Sequence, residues 1–181
     1  YQFHTFSFFA ESIAKSPEIV QNGTSNNQQA YNRRKKMRLY VAYGSNLHKK
    51  QMEERCPGAV PYAVGTLEGW ELIYRGLDPE KIYATIRKSE GASTPVALWD
   101  ITPENEKSLD EYEVYPTLYY KEDIPVRLEN GKTITAMVYI MAEDAKPGRP
   151  SDAYIQTIRE GYEDFGLDVS IFEASLEHGC C

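Results

Sequence analysis

Two short stretches hold most of the residues that could do chemistry. Residues 40–47 read YVAYGSNL, an apolar run broken by Gly44, Ser45 and Asn46 before a helical pattern begins. A glycine there lets the backbone turn with positive φ, and the amides that follow can gather at one spot with the positive end of the new helix, forming a small anion site. The same letters also fit an ordinary strand-to-helix turn with Asn46 as N-cap. The second stretch is Leu109-Asp110-Glu111-Tyr112-Glu113. On a helix turning roughly 100° per residue, Glu113 lies about 40° from Leu109 and on the side of Tyr112, so its carboxyl falls beside the apolar stripe. A carboxyl against apolar neighbours is harder to ionise, which moves its pKa toward the range where it can both accept and donate a proton. The alternative is a boundary glutamate that reaches water or pairs with a Lys or Arg.

Other catalytic sets find little support in the inventory. Of three histidines, His4 and His178 lie near the termini and only His48 is internal. A Ser-His or Cys-His pair would have to use His48 with Ser45 or Cys56, and Ser45 and His48 are separated by a single turn rather than converging from distant segments. The cysteines are Cys56, Cys180 and Cys181, a spacing that matches neither a metal site nor the framework of a secreted disulfide scaffold. No metal is expected, and a reducing cytoplasm is. The twelve tyrosines after Met37 suit a core and its rim, and also the lining of a small polar pocket.

The elements that must position these residues can be read from periodicity and punctuation. Strands are predicted over 39–43, 62–67, 71–74, 82–87, 96–101, 119–128 and 133–141, the last two joined by a hairpin turn at Asn130-Gly131. A helix over 47–55 ends at Pro57-Gly58. A second starts at Thr102-Pro103-Glu104, where a hydroxyl cap, a first-turn proline and an acid coincide, and is predicted to run to about Tyr115 before Pro116. A third is predicted from Ser151-Asp152 to Gly166. Strands in a run with helices inserted predict an α+β fold, a mixed and mainly antiparallel small β-barrel with flanking helices.

The 181 residues carry a formal charge of −7. Residues 1–36 hold five Lys or Arg against two Glu, so the remainder carries about ten net negative charges. An acidic domain repels phosphate backbones, and nucleic acid is not an expected partner. No stretch approaches the roughly 20 apolar residues of a membrane span, and no signal peptide is expected at the start. Residues 1–36 hold four of the six phenylalanines and a Gln-, Asn-, Ser- and Gly-rich run but no periodic pattern, whereas Met37 precedes the first clear strand. The expectation is a disordered or non-native extension over 1–36 and one domain over 37–181.

Several separated motifs together resemble one family. They are Tyr43 to Asn46 (YGSN), then Met52, Arg55 and Pro57, then Gly65-Thr66-Leu67 and Ala84-Thr85-Ile86, then Leu109 to Glu113 with Tyr120 seven residues later. Tyr139-Ile140-Met141, Pro150-Ser151, Tyr154, Gly161 and Gly166-Leu167 complete the series. The chain from 37 to about 175 is thereby similar to the γ-glutamylcyclotransferases. The resemblance implies a small barrel in which the YGSN loop and the helix glutamate face each other across a cavity. It implies Glu113 as the catalytic acid/base, with substrate contacts from Tyr40, Val41, Ala42, Tyr43, Gly44, Ser45 and Asn46, from Tyr154 and from Tyr120. One departure stands out: the family's glutamate is usually followed by Gly, and here Val114 follows.

The implied reaction frees 5-oxoproline and an amine or amino acid from a small γ-glutamyl compound, with no cofactor because the substrate carries its own nucleophile. Two alternatives remain at this level: action on γ-glutamyl amines or protected metabolites, and a non-catalytic module that binds a small amino-acid-like ligand. Both a monomer and a homodimer fit.

Overall fold

The structure is a computed structural model and describes residues 37–178. The expectations about residues 1–36, and those about Cys180 and Cys181, lie outside the described residues.

The first strand, β1 (Arg38–Ala42), is short and apolar because both of its faces are covered, which is how a central strand reads in sequence. It is followed by a 3₁₀ turn (Ser45–Leu47) and helix α1 (Lys49–Arg55). Two long strands, β2 (Val60–Asp78) and β3 (Lys81–Ile101), then pair as one antiparallel hairpin. The four short strands predicted between 62 and 101 are the halves of these two. Their apparent boundaries mark a register shift between Glu68 and Trp70, where Gly69 and Gly91 sit at positive φ and the ladder bends without ending.

Helix α2 (Pro103–Tyr112) begins at the expected cap, where the Thr102 hydroxyl accepts from the Asn105 amide at 3.2 Å and the Asn105 side chain accepts from the Thr102 amide at 3.1 Å. It stops three residues short of the predicted end. Strands β4 (Tyr119–Leu128) and β5 (Thr133–Met141) have the predicted bounds, and the two-residue β6 (Lys146–Pro147) was not expected. Helix α3 (Asp152–Phe165) runs from the Ser151 cap to a left-handed Gly166, as its punctuation predicts. Helix α4 (Val169–His178) escaped the sequence reading: its ten residues lack a strong apolar stripe, although Asp168 ahead of it is a cap, accepting from the Ser170 amide at 2.9 Å.

The sheet order is β3-β1-β5-β4-β2, and a further β2–β3 pairing closes it into a five-stranded barrel with β6 added at β2. All pairings are antiparallel except β1 with β5, where Tyr40 pairs with Met137 and Val41 with Val138. The α+β barrel with flanking helices is the observed architecture. The core fills from both sides of the barrel wall, with Leu98, Met137, Val138, Leu109, Ile158 and Phe172 fully buried. No helix among the described residues is long and apolar enough to cross a membrane.

Candidate active site

Glu113 closes α2 rather than lying within it. The Tyr115 amide returns to the Asp110 carbonyl at 2.9 Å and the Val114 amide to Glu111 at 3.3 Å, with Val114 at φ 52°. This is the six-to-one and five-to-two pairing of a Schellman ending, with valine in the left-handed position that glycine normally fills. With no glycine to announce the stop, the sequence pattern ran on to Tyr115. The consequence for the site is that the Glu113 side chain leaves from the last corner of the helix, where the chain reverses.

The helix end is held in place by charge. Lys121 on β4 reaches both Glu106 and Asp110 at 2.6 Å, Arg38 on β1 reaches Glu106 at 2.8 Å, and the Tyr139 hydroxyl donates to Asp110 at 2.6 Å.

The YGSN loop is positioned just as firmly. Gly44 has φ −120°, so the expected positive φ is not found. Its glycine is explained by space: a Cβ would lie 3.1 Å from Ala84 Cβ and 3.3 Å from the Tyr154 hydroxyl. Asn46 is not a helix cap either; its side chain is committed to the site. Arg55 donates to Asn46 Oδ1 at 2.7 Å, and because a guanidinium can only donate, this fixes the amide orientation. Nδ2 then donates to the Tyr40 hydroxyl at 2.7 Å and to Glu113 Oε1 at 2.8 Å. Trp99 Nε1 donates to the Asn46 carbonyl at 3.1 Å. The 3₁₀ turn uses the amides of Leu47 and His48, so those of Ser45 and Asn46 precede its first hydrogen bond.

Between these two corners lies a cavity of about 170 Å³. Glu113 is the one acidic or basic side chain among its described lining residues, and seven tyrosines share the wall: Tyr40, Tyr43, Tyr83, Tyr112, Tyr119, Tyr139 and Tyr154. Burial pushes the Glu113 carboxyl up from its usual 4.5 to about 7, against the opposing pull of the Asn46 hydrogen bond and the Arg55 charge. Burial also raises the hydroxyls of Tyr40, Tyr43, Tyr119, Tyr139 and Tyr154. Near neutral pH these five phenols are therefore un-ionised around a carboxyl that exchanges its proton.

Six of the expected contacts line this cavity with Glu113: Tyr40, Tyr43, Gly44, Ser45, Asn46 and Tyr154. Three do not. Val41 alternates away from Tyr40 along β1, and Ala42 is packed in the core. Tyr120 is 39 % exposed and lines a separate groove with Trp70 and Thr85. Its neighbour Tyr119 faces the cavity instead, donating to the Ala84 carbonyl at 2.8 Å. In a strand one residue of register decides the face, and the YY pair at 119–120 offered no way to choose.

Sequence reasoning also missed Tyr83, Ala84, Tyr112, Leu118 and Tyr139 as wall residues, and Arg55 behind Asn46. Of these only Tyr83 and Ala84 lie on an alternating stretch, at the start of β3. His48 faces α3, with Nε2 3.0 Å from Glu160, and does not line the cavity. Cys56 is fully buried, and that burial pushes its thiol up to about 11, so it forms little thiolate. Among the described residues no cluster of His, Cys, Asp and Glu could hold a metal ion.

Comparison with known proteins follows the same line. Residues 40–158 match the family model "Gamma-glutamyl cyclotransferase, AIG2-like". The chain is 34 % identical to a γ-glutamylcyclotransferase of Bos taurus over 137 residues, 71 % of this chain and 72 % of that protein. It is 31 % identical to that of Homo sapiens over 142 residues, 75 % of each. A solved γ-glutamyl cyclotransferase structure superposes with a TM-score of 0.68 at 29 % identity, covering 78 % of this chain and 86 % of that one. A match spanning most of the barrel, from the YGSN strand to α3, means that the chain belongs to the γ-glutamyl cyclotransferase family.

Proposed function

We propose that this chain is a γ-glutamylcyclotransferase in which Glu113 transfers the protons and the YGSN loop orients the substrate. The observation that carries the reading is the Asn46 amide, 2.8 Å from Glu113 and fixed by Arg55, which ties the opening loop to the helix carboxyl at the wall of one small cavity.

The chemistry needs only what this site offers. A γ-glutamyl amide holds its nucleophile in its own α-amine, so binding in a bent form makes the attack intramolecular, an effect worth effective molarities of about 10⁵ to 10⁸ M. Ionised Glu113 takes a proton from the α-ammonium. The amine nitrogen then bonds to the γ-carbonyl carbon, the carbonyl oxygen becomes an oxyanion, and the carbon–nitrogen bond to the amine half breaks. Protonated Glu113 gives its proton to the leaving nitrogen, and the carboxylate so regenerated takes the second proton from the ring nitrogen as the oxyanion collapses and passes it to the departing amine, which leaves protonated. The products are 5-oxoproline and a free amine, and atoms balance without cofactor or co-reactant. A carboxyl poised near 7 serves both directions of transfer. The hydroxyls of Tyr40 and Tyr154, which accept from Asn46 Nδ2 and the Ala84 amide, and the amides of Ser45 and Asn46 supply donors for the α-carboxylate and the oxyanion, the latter kind worth about 3 kcal/mol each. A reducing, cytoplasmic setting belongs to the same reading, on the unframed cysteines.

Glu113→Gln keeps the shape and the Asn46 contact but not the proton. The expected outcome is a loss of 5-oxoproline release by about 10² to 10⁴ with an unchanged circular dichroism spectrum. Wild-type turnover in that variant would remove Glu113 from the mechanism.

A further inference from the structure

The contact between Asn46 and Glu113 is only as good as the placement of Asn46, and that placement is set from both ends of the residue. Arg55 fixes the side chain at Oδ1. The main chain gets no such help from its own turn. If the 3₁₀ turn continued, the Lys49 amide would come to the Asn46 carbonyl, but that amide donates instead to Asp164 Oδ2 of α3 at 2.8 Å. The donor that the carbonyl receives is the Trp99 indole, at 3.1 Å. Asn46 is 4 % exposed, so its carbonyl without this partner would be a buried acceptor left unpaired, which the turn can relieve only by shifting.

The sheet places Trp99 for this task. On the ladder between β1 and β3 it lies directly opposite Tyr40, so the two side chains leave on the same face. Both end on Asn46: the Tyr40 hydroxyl accepts from Nδ2 at 2.7 Å while the indole donates to the carbonyl. One cross-strand pair thus brackets one residue. The indole is 3 % exposed and meets Phe165, the last residue of α3, edge to face with ring centroids 5.5 Å apart. Phe165 is covered in turn by Lys49 Nζ at 4.7 Å. A core tryptophan needs only some acceptor for its N–H; this one takes the carbonyl of the residue whose side chain meets Glu113.

We infer that Trp99 is a positioning residue for the proton transfer: through its N–H, and with its cross-strand partner Tyr40, it holds Asn46 so that Nδ2 stays on the Glu113 carboxyl. This rests on the cyclotransferase reading of the same cavity and adds the strand, β3, that sets its central hydrogen bond. A carboxylate gains more from an N–H donor than a neutral carboxyl does. Without the indole N–H, Asn46 drifts and Glu113 keeps its proton to higher pH. The other ionisable groups that face the carboxyl, Arg55 and the tyrosines of the wall, keep their places.

The test replaces Trp99 by β-(3-benzothienyl)alanine, which keeps both rings and exchanges the N–H for sulfur, alongside Trp99→Phe. Two readouts are followed against pH in the full chain: kcat/KM for 5-oxoproline release from γ-glutamyl glycine and γ-glutamyl ethylamide, and the ¹³C resonance of the Glu113 carboxyl. Both midpoints are expected to rise together by roughly half to one pH unit, which lowers kcat/KM on the acid side of the inflection by roughly three- to tenfold. In an Asn46→Ala background the same replacement is expected to leave the carboxyl midpoint where Asn46→Ala alone puts it. A side chain that merely fills the core would lower stability and move neither midpoint. A midpoint that does not rise in either readout of the benzothienyl variant, or a further rise in the Asn46→Ala background, overturns this inference and leaves the activity standing. No release from either compound by the wild type overturns the activity, and the inference with it.

Discussion

Glu113 sits between opposed influences: burial favours its neutral form, while the Asn46 hydrogen bond and the Arg55 charge favour its ionised form, and burial prevails to bring it to about 7. In its proposed role as the base of the free enzyme it must be ionised, so kcat/KM is expected to rise with pH through an inflection near 7. Stability runs the other way. A carboxyl whose folded pKa lies above its usual 4.5 binds its proton more tightly when folded, so stability is lost as pH rises from about 4.5 to about 7 and is level beyond. The full difference is about 3 kcal/mol from the size of the shift. Glu113→Gln, which cannot ionise, is therefore expected to melt above the wild type at pH 8 and close to it at pH 5, as thermal melts at the two pH values would show. Arg55 acts on the same carboxyl from behind Asn46. Arg55→Gln removes a cation that holds the Glu113 pKa down, and the activity inflection is expected to move above 7. Arg55→Lys keeps the charge and is expected to hold the inflection closer to the wild type. A purely structural role would lower the rate at every pH without moving the inflection.

At the level of elements, the helix end behind Glu113 carries a local cost. Val114 takes the left-handed position of the Schellman ending at φ 52°, which disfavours any residue with a Cβ by roughly 1 to 2 kcal/mol and a β-branched one most. Val114→Gly is expected to raise stability by about 1 kcal/mol, after the greater freedom of glycine in the unfolded chain is subtracted, or by roughly 3 °C in Tm. The same residue shows why parts of the structure were legible and others were not. Thr102-Pro103 and Ser151 with Gly166 announce their helix ends through chemistry that acts locally, and those ends were read correctly. The stop at Glu113 has no such residue, because the return of the chain is enforced by Lys121, Arg38 and Tyr139 gripping Glu106 and Asp110 from other strands. Glu113 and the YGSN loop meet at one cavity, as the family resemblance implied, but local pattern left each open to an ordinary reading, and the positive φ expected at Gly44 is not found. The choice of Tyr119 over Tyr120 could not be read, since strand register is set by partners far away in sequence. Packing between elements is also strict at Gly161 on α3, where a Cβ would lie 2.6 Å from Leu47 Cβ and 2.8 Å from the His48 amide nitrogen. Gly161→Ala must push the 3₁₀ turn away from α3. We expect a loss of roughly 1 to 3 kcal/mol in urea melts together with a fall in kcat/KM, because the displaced turn carries Asn46.

Across the molecule, the closed barrel divides into a face that holds the cavity and a face that supports the core. The β1–β5 parallel pair lies between the β3 and β4 neighbours that complete the ring, so the loop after β1 and the entry to β4 are fixed relative to each other by the sheet. Helix α4 packs against β2 and α3, with Phe172 fully buried 5.3 Å from the Tyr162 ring and the Tyr74 hydroxyl 2.6 Å from Ser175 Oγ. None of its residues lines the cavity. Phe172→Ala should therefore remove stability without touching the chemistry: a loss of about 3 to 5 kcal/mol, seen as a lower urea midpoint, with kcat/KM per folded molecule unchanged well below the new Tm. The path by which it could reach the site is specific, because α3 touches both Phe172 through Tyr162 and the 3₁₀ turn through Gly161. If kcat/KM falls along with stability, the effect must travel through that helix, and the double variant Phe172→Ala with Gly161→Ala would then lose less activity than the two separate losses combined. If kcat/KM holds, the barrel alone sets the distance between Asn46 and Glu113, and α4 serves only to cover the core.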